Sequence, residues 1–373
     1  MARRSVAIVL LLVAFAVAGG AWAAWWEIVG RYRETTDNAY VAGNLVEVTP
    51  QVAGTVIAIG ADDTQRVEAG QLLVRLDPAD AEVALAQAEA DLARAVREAR
   101  TLYAGNESLE AMVRVREAEL RRAEEYLERR TPLAQQGVVS REEIETARTA
   151  ADAARASLAA ARETLIAHRV LTDKVTLEEQ PSVKIAAAKL REGWLALART
   201  TIPAPVAGTV ARRAVQVGQR VAPGARLMSV VPLADLWVDA NFKEGQLRDM
   251  RIGQAARLTA DLYGGTVEYK GTVTGLSAGT GGAFALLPPQ NATGNWIKVV
   301  QRVPVRIALD PGQLKAHPLR VGLSMNVEVD THDTSGSQLA AVAGSTPAYA
   351  TQSLSVSEAG AEARVRAIIA RHR

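Results

Sequence analysis

The chain has no cysteine. That excludes disulfides, thiolate metal sites, a cysteine nucleophile and anchoring through a lipidated N-terminal cysteine. Aromatic residues make up only 4% of the 373 residues, although hydrophobic residues make up 49%. Alanine supplies much of the apolar share, and a chain rich in Ala, Glu and Arg builds long thin helices rather than a thick globular core. Neither charge sign dominates. The 43 basic and 41 acidic residues leave a net charge of +2 and alternate along the chain, so the basic face of a nucleic-acid binder is missing. The four histidines, His168, His317, His332 and His372, lack the spacing of a metal site such as His-Glu-x-x-His. No glycine-rich loop ends in Gly-Lys-Ser/Thr, and Gly279-Thr280-Gly281-Gly282 lacks the lysine a phosphate loop needs. These absences predict no enzyme, no resident metal and no nucleotide hydrolysis.

What is present begins with a short stretch that occurs twice. Val52-Ala53-Gly54-Thr55-Val56 returns as Val206-Ala207-Gly208-Thr209-Val210. At the same offset Gln65-Arg66-Val67 matches Gln219-Arg220-Val221, Gly70 matches Gly224 and Leu73 matches Leu227. Each copy is β-branched-rich and punctuated by Gly and Pro, so it reads as a few short strands with tight turns. Neither copy buries enough surface to stand alone. The two halves, 49–78 and 201–232, are expected to fold onto each other as one small β-sandwich.

Ahead of them, Arg3 and Arg4 precede an apolar run from Val6 to Trp26 with no charged residue. About 20 such residues cross a bilayer as a helix. The basic pair predicts a cytoplasmic N-terminus, with Trp22, Trp25 and Trp26 as an aromatic belt at the far interface. Residues 1–30 are thus expected to anchor the chain in the inner membrane as a single pass. The competing reading is a signal peptide cleaved near Ala21-Trp22-Ala23. Either way the body of the chain lies outside the cytoplasm.

Between the halves, 79–200 reads as a helical hairpin. From Ala79 to Arg130 there is no Pro and one Gly, Gly105. Two heptad seams run through it: Leu85, Leu92, Ala99, Asn106, Val113, Leu120, Leu127 and Ala88, Ala95, Leu102, Leu109, Arg116, Ala123, Arg130. That is coiled-coil patterning, in which a seam Asn commonly fixes register. Thr131-Pro132 is expected to break the helix, Gly137 to turn, and Ser140 with Glu143 to form a capping box. The return helix carries Ile144, Ala151, Leu158, Leu165 and Ala147, Ala154, Ala161, Val175, with His168 in the second seam as a packed or partly exposed histidine. Pro181 kinks or restarts it, and helix resumes to Arg199. At 1.5 Å per residue each arm is on the order of 80 Å long. Most of that length is spacer; the tip, 129–140, is where contact is expected.

A split β-sandwich interrupted by a helical hairpin after a membrane anchor resembles the membrane fusion proteins, periplasmic adaptors of the HlyD family, and within them the EmrA type. The resemblance rests on Asp77-Pro78 at the entry to the helix, on Arg199-Thr200-Thr201-Ile202-Pro203-Ala204-Pro205 at its exit, and on Thr36-Asp37-Asn38-Ala39-Tyr40-Val41 and Val238-Asp239-Ala240-Asn241-Phe242-Lys243-Glu244. It rests further on Asn291-Ala292-Thr293-Gly294-Asn295-Trp296 and its continuation to Val305, and on Pro318-Leu319-Arg320-Val321-Gly322-Leu323-Ser324-Met325. It covers about residues 5–332. It implies an elongated α+β chain with a lipoyl-like sandwich, a β-barrel over 233–300, and a membrane-proximal β domain pairing 31–48 with 301–332. It also implies a non-enzymatic adaptor of a tripartite multidrug efflux pump. The partners would be an inner-membrane transporter of the major facilitator type, a TolC-like outer-membrane channel, and further copies in a ring, trimer or hexamer. At the tip, Arg129, Leu133 and Ser140 match the spacing of residues with which such adaptors touch the channel. The local alternative leaves Ser140 as a helix cap, Leu133 covering the turn and Arg129 solvated. Lipoyl and biotin carrier domains share the half-motifs but need an acceptor lysine in the hairpin joining the halves. The first lysine here is Lys174 and 203–232 has none, so no cofactor is carried.

In the C-terminal third, a long loop from Gly279 to Trp296 carries Phe284, Leu286 and Leu287, with Trp296 at its end. Loops of that length are usually functional or disordered, and this one is expected to face the transporter or a neighbouring subunit. After Thr331 the composition turns to Ser, Ala, Gly and Thr, which predicts a flexible tail over 333–373. A short basic helix near 361–371 closes it without an evident role. Two competing functions stay open: an adaptor of type I protein secretion paired with an ABC exporter, and a purely structural coiled-coil envelope protein.

Overall fold

A computed structural model of the chain describes residues 2–28, 30–173, 175–284, 300–342 and 344–373, with the side chains of 2–11, 14 and 28 outside that description. In chain order, helix α1 (Ala2–Ile28) leads to strands β1 (Arg33–Ala42), β2 (Val46–Val48), β3 (Gly54–Ile59), β4 (Arg66–Val67) and β5 (Leu72–Leu76). Helices α2 (Ala79–Gln135), α3 (Arg141–Arg169) and α4 (Pro181–Ala198) follow, then β6 (Thr201–Pro203), β7 (Gly208–Arg213), β8 (Arg220–Val221) and β9 (Met228–Val231). The last part comprises β10 (Trp237–Lys243), β11 (Ala255–Ala260), β12 (Glu268–Leu276), β13 (Arg302–Leu309), α5 (Pro311–Ala316), β14 (Ser324–Asp330) and α6 (Ala359–His372).

The doubled motif forms a sandwich in which the halves exchange strands. One sheet runs β2-β9-β7-β4 and the other β6-β5-β3-β8. Gly54 and Thr55 of the first copy pair with Val221 and Arg220 of the second, while Val67 and Arg66 pair with Gly208 and Thr209. Equivalent positions therefore meet reciprocally, and neither copy can form its sheet alone. Gly70 and Gly224 both hold positive φ, +84° and +80°, which only glycine adopts without strain. Val56, Leu73, Val210 and Leu227 fill the interior. The expected membrane-proximal segment 31–48 divides here, because Val46–Val48 pairs with Met228–Val230 and belongs to the sandwich.

The remaining strands close into one six-stranded antiparallel barrel, β1-β10-β13-β12-β11-β14. This corrects the expectation of a β-barrel over 233–300 followed by a separate membrane-proximal domain. Strand β1 pairs β14 on one side, Thr36↔Val327, and β10 on the other, Tyr40↔Asp239. It thereby bridges the two sets of strands, and closure leaves no free edge. Phe242, Met250, Leu258, Tyr269 and Ile307 form its centre, all fully buried.

The hairpin leaves the sandwich after β5 and re-enters at β6. Helix α2 is 57 residues long and runs through Pro132, where a break was expected. The proline lies three residues from the helix end, so only one late carbonyl loses its donor. Opposite α2 the return is split. Helix α3 ends at Arg169, and Val175, expected in the seam, lies outside both helices. Tyr103 OH donates to the Val175 carbonyl there. Asn106 Nδ2 donates to Thr172 Oγ1 at 2.6 Å, and its Oδ1 lies 2.8 Å from His168 Nδ1. The His168 ring fits because residue 105 is glycine: a Cβ there would lie 2.9 Å from His168 Cε1.

The tail also departs from expectation. Helix α6 packs on α2 and α4 with Ala361, Val365 and Ile369 buried, joining the hairpin core. Among the described residues no helix is long and apolar enough to cross a membrane. Helix α1 covers the apolar run, of which residues 6–11 and 14 have no described side chains.

Candidate functional site

The end of the hairpin farthest from the β domains is built by two capping devices. Gly137, with φ +72°, ends α2: its N–H donates to Ala134 O at 3.0 Å, and that of Val138 to Leu133 O at 2.9 Å. This pair of bonds is a Schellman closure, in which the left-handed position is glycine. Three residues on, α3 starts with the predicted capping box. Glu143 N donates to Ser140 Oγ, and Ser140 N to Glu143 Oε2, both at 3.2 Å. Backbone polarity is thus satisfied within a turn of a few residues, and the side chains are free to face outward.

They do so. Arg129 and Leu133, one helical turn apart and hence on one face of α2, are both exposed, and Ser140 is exposed across the turn. Arg129 has only a loose ion pair, 3.7 Å to Glu125. Sequence reasoning missed two neighbours. Val138 is 67% exposed and Tyr126 43%, and Arg130 stacks over the Tyr126 ring at 4.6 Å while approaching Glu143 at 3.4 Å. An apolar residue directly after a turn glycine was the signal available for Val138. The tip therefore presents Leu133, Val138 and Tyr126 beside arginines whose ion pairs lie in the open.

At the other end, the loop expected to face a transporter begins between β12 and β13. Phe284 is 69% exposed and lies over Gly279, where a Cβ would meet its ring at 2.8 Å. Leu286, Leu287, Trp296 and the 291–296 motif lie outside the described residues. Close to the start of β13, a polar cavity of about 520 Å³ is lined by Arg33, Lys243, Arg257, Glu268, Arg302 and Glu328 among others. Arg302 spends its guanidinium on Asn241 O at 3.0 Å and Thr36 Oγ1 at 3.3 Å. The cavity offers mixed charge without a nucleophile–base pair. Among the described residues no cluster of His, Cys, Asp or Glu could hold a metal ion. On α1, Trp22, Trp25 and Trp26 are all exposed, with the rings of Trp22 and Trp26 stacked at 6.0 Å.

Sequence comparisons with known proteins identify the family. The hairpin, residues 79–200, matches the family described as "EMRA, alpha-helical hairpin domain". The chain is 46% identical over 323 residues to the multidrug export protein EmrA of Escherichia coli K12, covering 87% of this chain and 83% of that one. It is 43% identical over 370 residues to the probable multidrug resistance protein EmrK of the same organism, covering 98% and 95%. Among solved structures, the periplasmic adaptor protein EmrA aligns over 80% of this chain and 98% of that chain at 19% identity, with a TM-score of 0.40.

Proposed function

Because this chain belongs to the EmrA family of membrane fusion proteins, we propose that it is the periplasmic adaptor of a tripartite multidrug efflux pump. Helix α1 anchors it in the inner membrane, with Trp22, Trp25 and Trp26 at the periplasmic interface. The barrel, together with segment 279–296, seats on an exporter of the major facilitator type. Several copies, three or six, form a ring, and their hairpins bundle into a conduit toward a TolC-like outer-membrane channel. The role is mechanical and not enzymatic: no step of it calls for a nucleophile, a metal or a cofactor.

The observation that carries this reading is the tip. A 57-residue helix spans about 86 Å at 1.5 Å per residue, and at its end Arg129, Leu133 and Val138 are exposed. A coiled coil that serves only as a structural spacer gives no reason for Leu133 and Val138 to stay exposed that far from the β domains.

The test joins resistance to co-purification. Arg129→Glu and Leu133→Asp are expected to abolish drug resistance while expression and folding stay normal, and to lose the outer-membrane channel from affinity-purified complexes. The inner-membrane partner should be retained and should be a twelve-helix exporter. Unchanged resistance in both variants overturns tip docking. An ATP-driven exporter in the purified complex would replace drug efflux by protein secretion, and no partner at all would leave an envelope structural protein.

A further inference from the structure

Beyond β14 the chain does not drift free but touches every domain in turn. At the barrel, Ile252 N donates to Ser337 O at 2.9 Å, and Gln254 Nε2 to Asp333 O at 2.8 Å. At the sandwich, Thr351 Oγ1 donates to Pro205 O. The next residues cross the joint itself. Ser353, Leu354 and Val356 line a cleft whose other walls are Thr49 and Gln51 of the sandwich and Ala198 and Arg199 at the end of α4. Helix α6 then docks on the hairpin root. Arg191 Nε donates to Glu362 Oε1, and Arg364 Nη1 to Glu89 Oε1, each at 2.6 Å. Gly360 fits so tightly on Trp194 that a Cβ would lie 2.4 Å from Cζ2.

The chain passes between sandwich and hairpin at two adjacent crossings, Asp77–Pro78 and Arg199–Thr200, beside a cleft where Asp80, Ala81 and Ala196 face Val52–Thr55. Two neighbouring crossings define an axis, and a lever of about 86 Å swings about such an axis unless a third attachment lies off it. The C-terminal segment supplies that attachment. The step from Thr351 to Ala359 reaches at most about 29 Å fully extended, so α6 is held close to the sandwich while gripping α2 and α4.

We propose that residues 333–342 and 344–372 form a strap across the hairpin–sandwich joint, with α6 as its latch, and that this strap sets the direction in which the hairpin points. Ala361, Val365 and Ile369, spaced to face one side, provide the grip. Arg191–Glu362 and Glu89–Arg364 select the register. The hairpin direction is a property of the isolated chain, so the test below stands whether or not the protein serves drug efflux.

The absence of native cysteine allows clean double spin labelling of the full chain in detergent. Thr101→Cys on α2 and Lys270→Cys on the barrel, both exposed, report the hairpin-to-barrel distance by pulsed dipolar spectroscopy. Val365→Asp with Ile369→Asp puts charge into the buried face and should release α6, broadening the distance distribution at least about two-fold. Gly360→Val, which adds no charge, should do the same through Trp194, and the conservative Val365→Ile should leave the width unchanged. Hydrogen exchange in β10–β14 should stay at its original rate in all three. An unbroadened distribution in the first two variants overturns the strap. So does broadening accompanied by fast exchange throughout the barrel, because the segment would then support general folding and not direction.

Discussion

Arg162 of the returning helix donates to Glu117 of the outgoing helix at 2.7 Å. The pairing repeats one heptad away on each side: Arg155 with Glu124 at 2.9 Å and Arg169 with Glu110 at 2.5 Å. All six side chains are at least a third exposed, so solvent screens each rung and none contributes much by itself. The ladder's value lies in register, because a slip by anything but a whole heptad breaks all three rungs at once. Arg162→Ala is expected to cost less than about 1 kcal/mol. Reversing all three arginines to Glu should lower the melting of the helical signal markedly, and adding Glu110→Arg, Glu117→Arg and Glu124→Arg should restore it. Circular-dichroism melts at low and high salt check this, with the deficit shrinking as salt screens the repulsion. A deficit insensitive to salt would sink the ladder.

The hairpin was readable in sequence because its information is local and periodic: heptads from Leu85 to Leu127 specify a long amphipathic helix, and Ser140 with Glu143 announces its restart. The doubled Val-Ala-Gly-Thr-Val stretch likewise pointed to a shared sandwich, since two halves too small to fold must complete each other. Barrel pairing was hidden. The alternation in β1 says that one face is buried, not that Tyr40 will oppose Asp239 some two hundred residues away. The latch was hidden for the same reason. Ala361, Val365 and Ile369 mark an apolar stripe, but the groove that receives it is assembled from α2 and α4, and the low-complexity residues before it read as disorder. Pro132 misled because the rule for helix interiors weakens near a C-terminus. At the tip, Arg129, Leu133 and Ser140 were visible by spacing, whereas Tyr126 and Val138 became notable only through their exposure.

Acid should loosen the sandwich between its two halves. Arg213 Nε donates to Asp62 Oδ1 at 2.7 Å, and Arg213 N to Asp63 Oδ1 at 2.6 Å, tying the second copy of the motif to the first. The Arg213 hydrogen bond holds the Asp62 carboxyl below its ordinary value. Arg191 does the same for Glu362 in the latch. A depressed folded-state value means the stabilisation is present above the ordinary carboxylate range and is lost as pH falls through the lowered values. Melting temperature should therefore drop on acidification below about pH 4, and drop less in Asp62→Asn with Glu362→Gln. Both carboxylates face solvent, so the difference should be modest and should diminish in high salt. Parallel acid profiles for the two proteins would show that these contacts contribute nothing.

The turn glycine at the tip offers a local test. Gly137→Ala forces a Cβ into a left-handed position at a cost of order 1 kcal/mol. Nothing lies within 4 Å of that Cβ, so the penalty is conformational and not steric. Amide exchange over 133–143 should accelerate several-fold while the global melt barely moves. If exchange there is unchanged, α2 does not end in the closure described.

Ser140 separates the two meanings of the tip. Its Oγ accepts from Glu143 N, which is sufficient reason for a serine at a helix start. Removing the cap with Ser140→Ala should cost about 1 kcal/mol and fray the first turn of α3, so lost resistance in that variant would be ambiguous. Ser140→Asp is not ambiguous, because aspartate caps as well as serine and its charge suits the helix N-terminus. A purely structural Ser140 therefore predicts normal exchange protection over 140–146 and normal resistance in the aspartate variant. Docking on a channel predicts the same protection with resistance lost, since a carboxylate would have to be desolvated against the partner without a matching charge. The second outcome is expected, because Leu133 and Val138 are already exposed at this end and a partner that covers them will also cover residue 140. Normal resistance in Ser140→Asp together with Leu133→Asp would leave the tip a closure and nothing more.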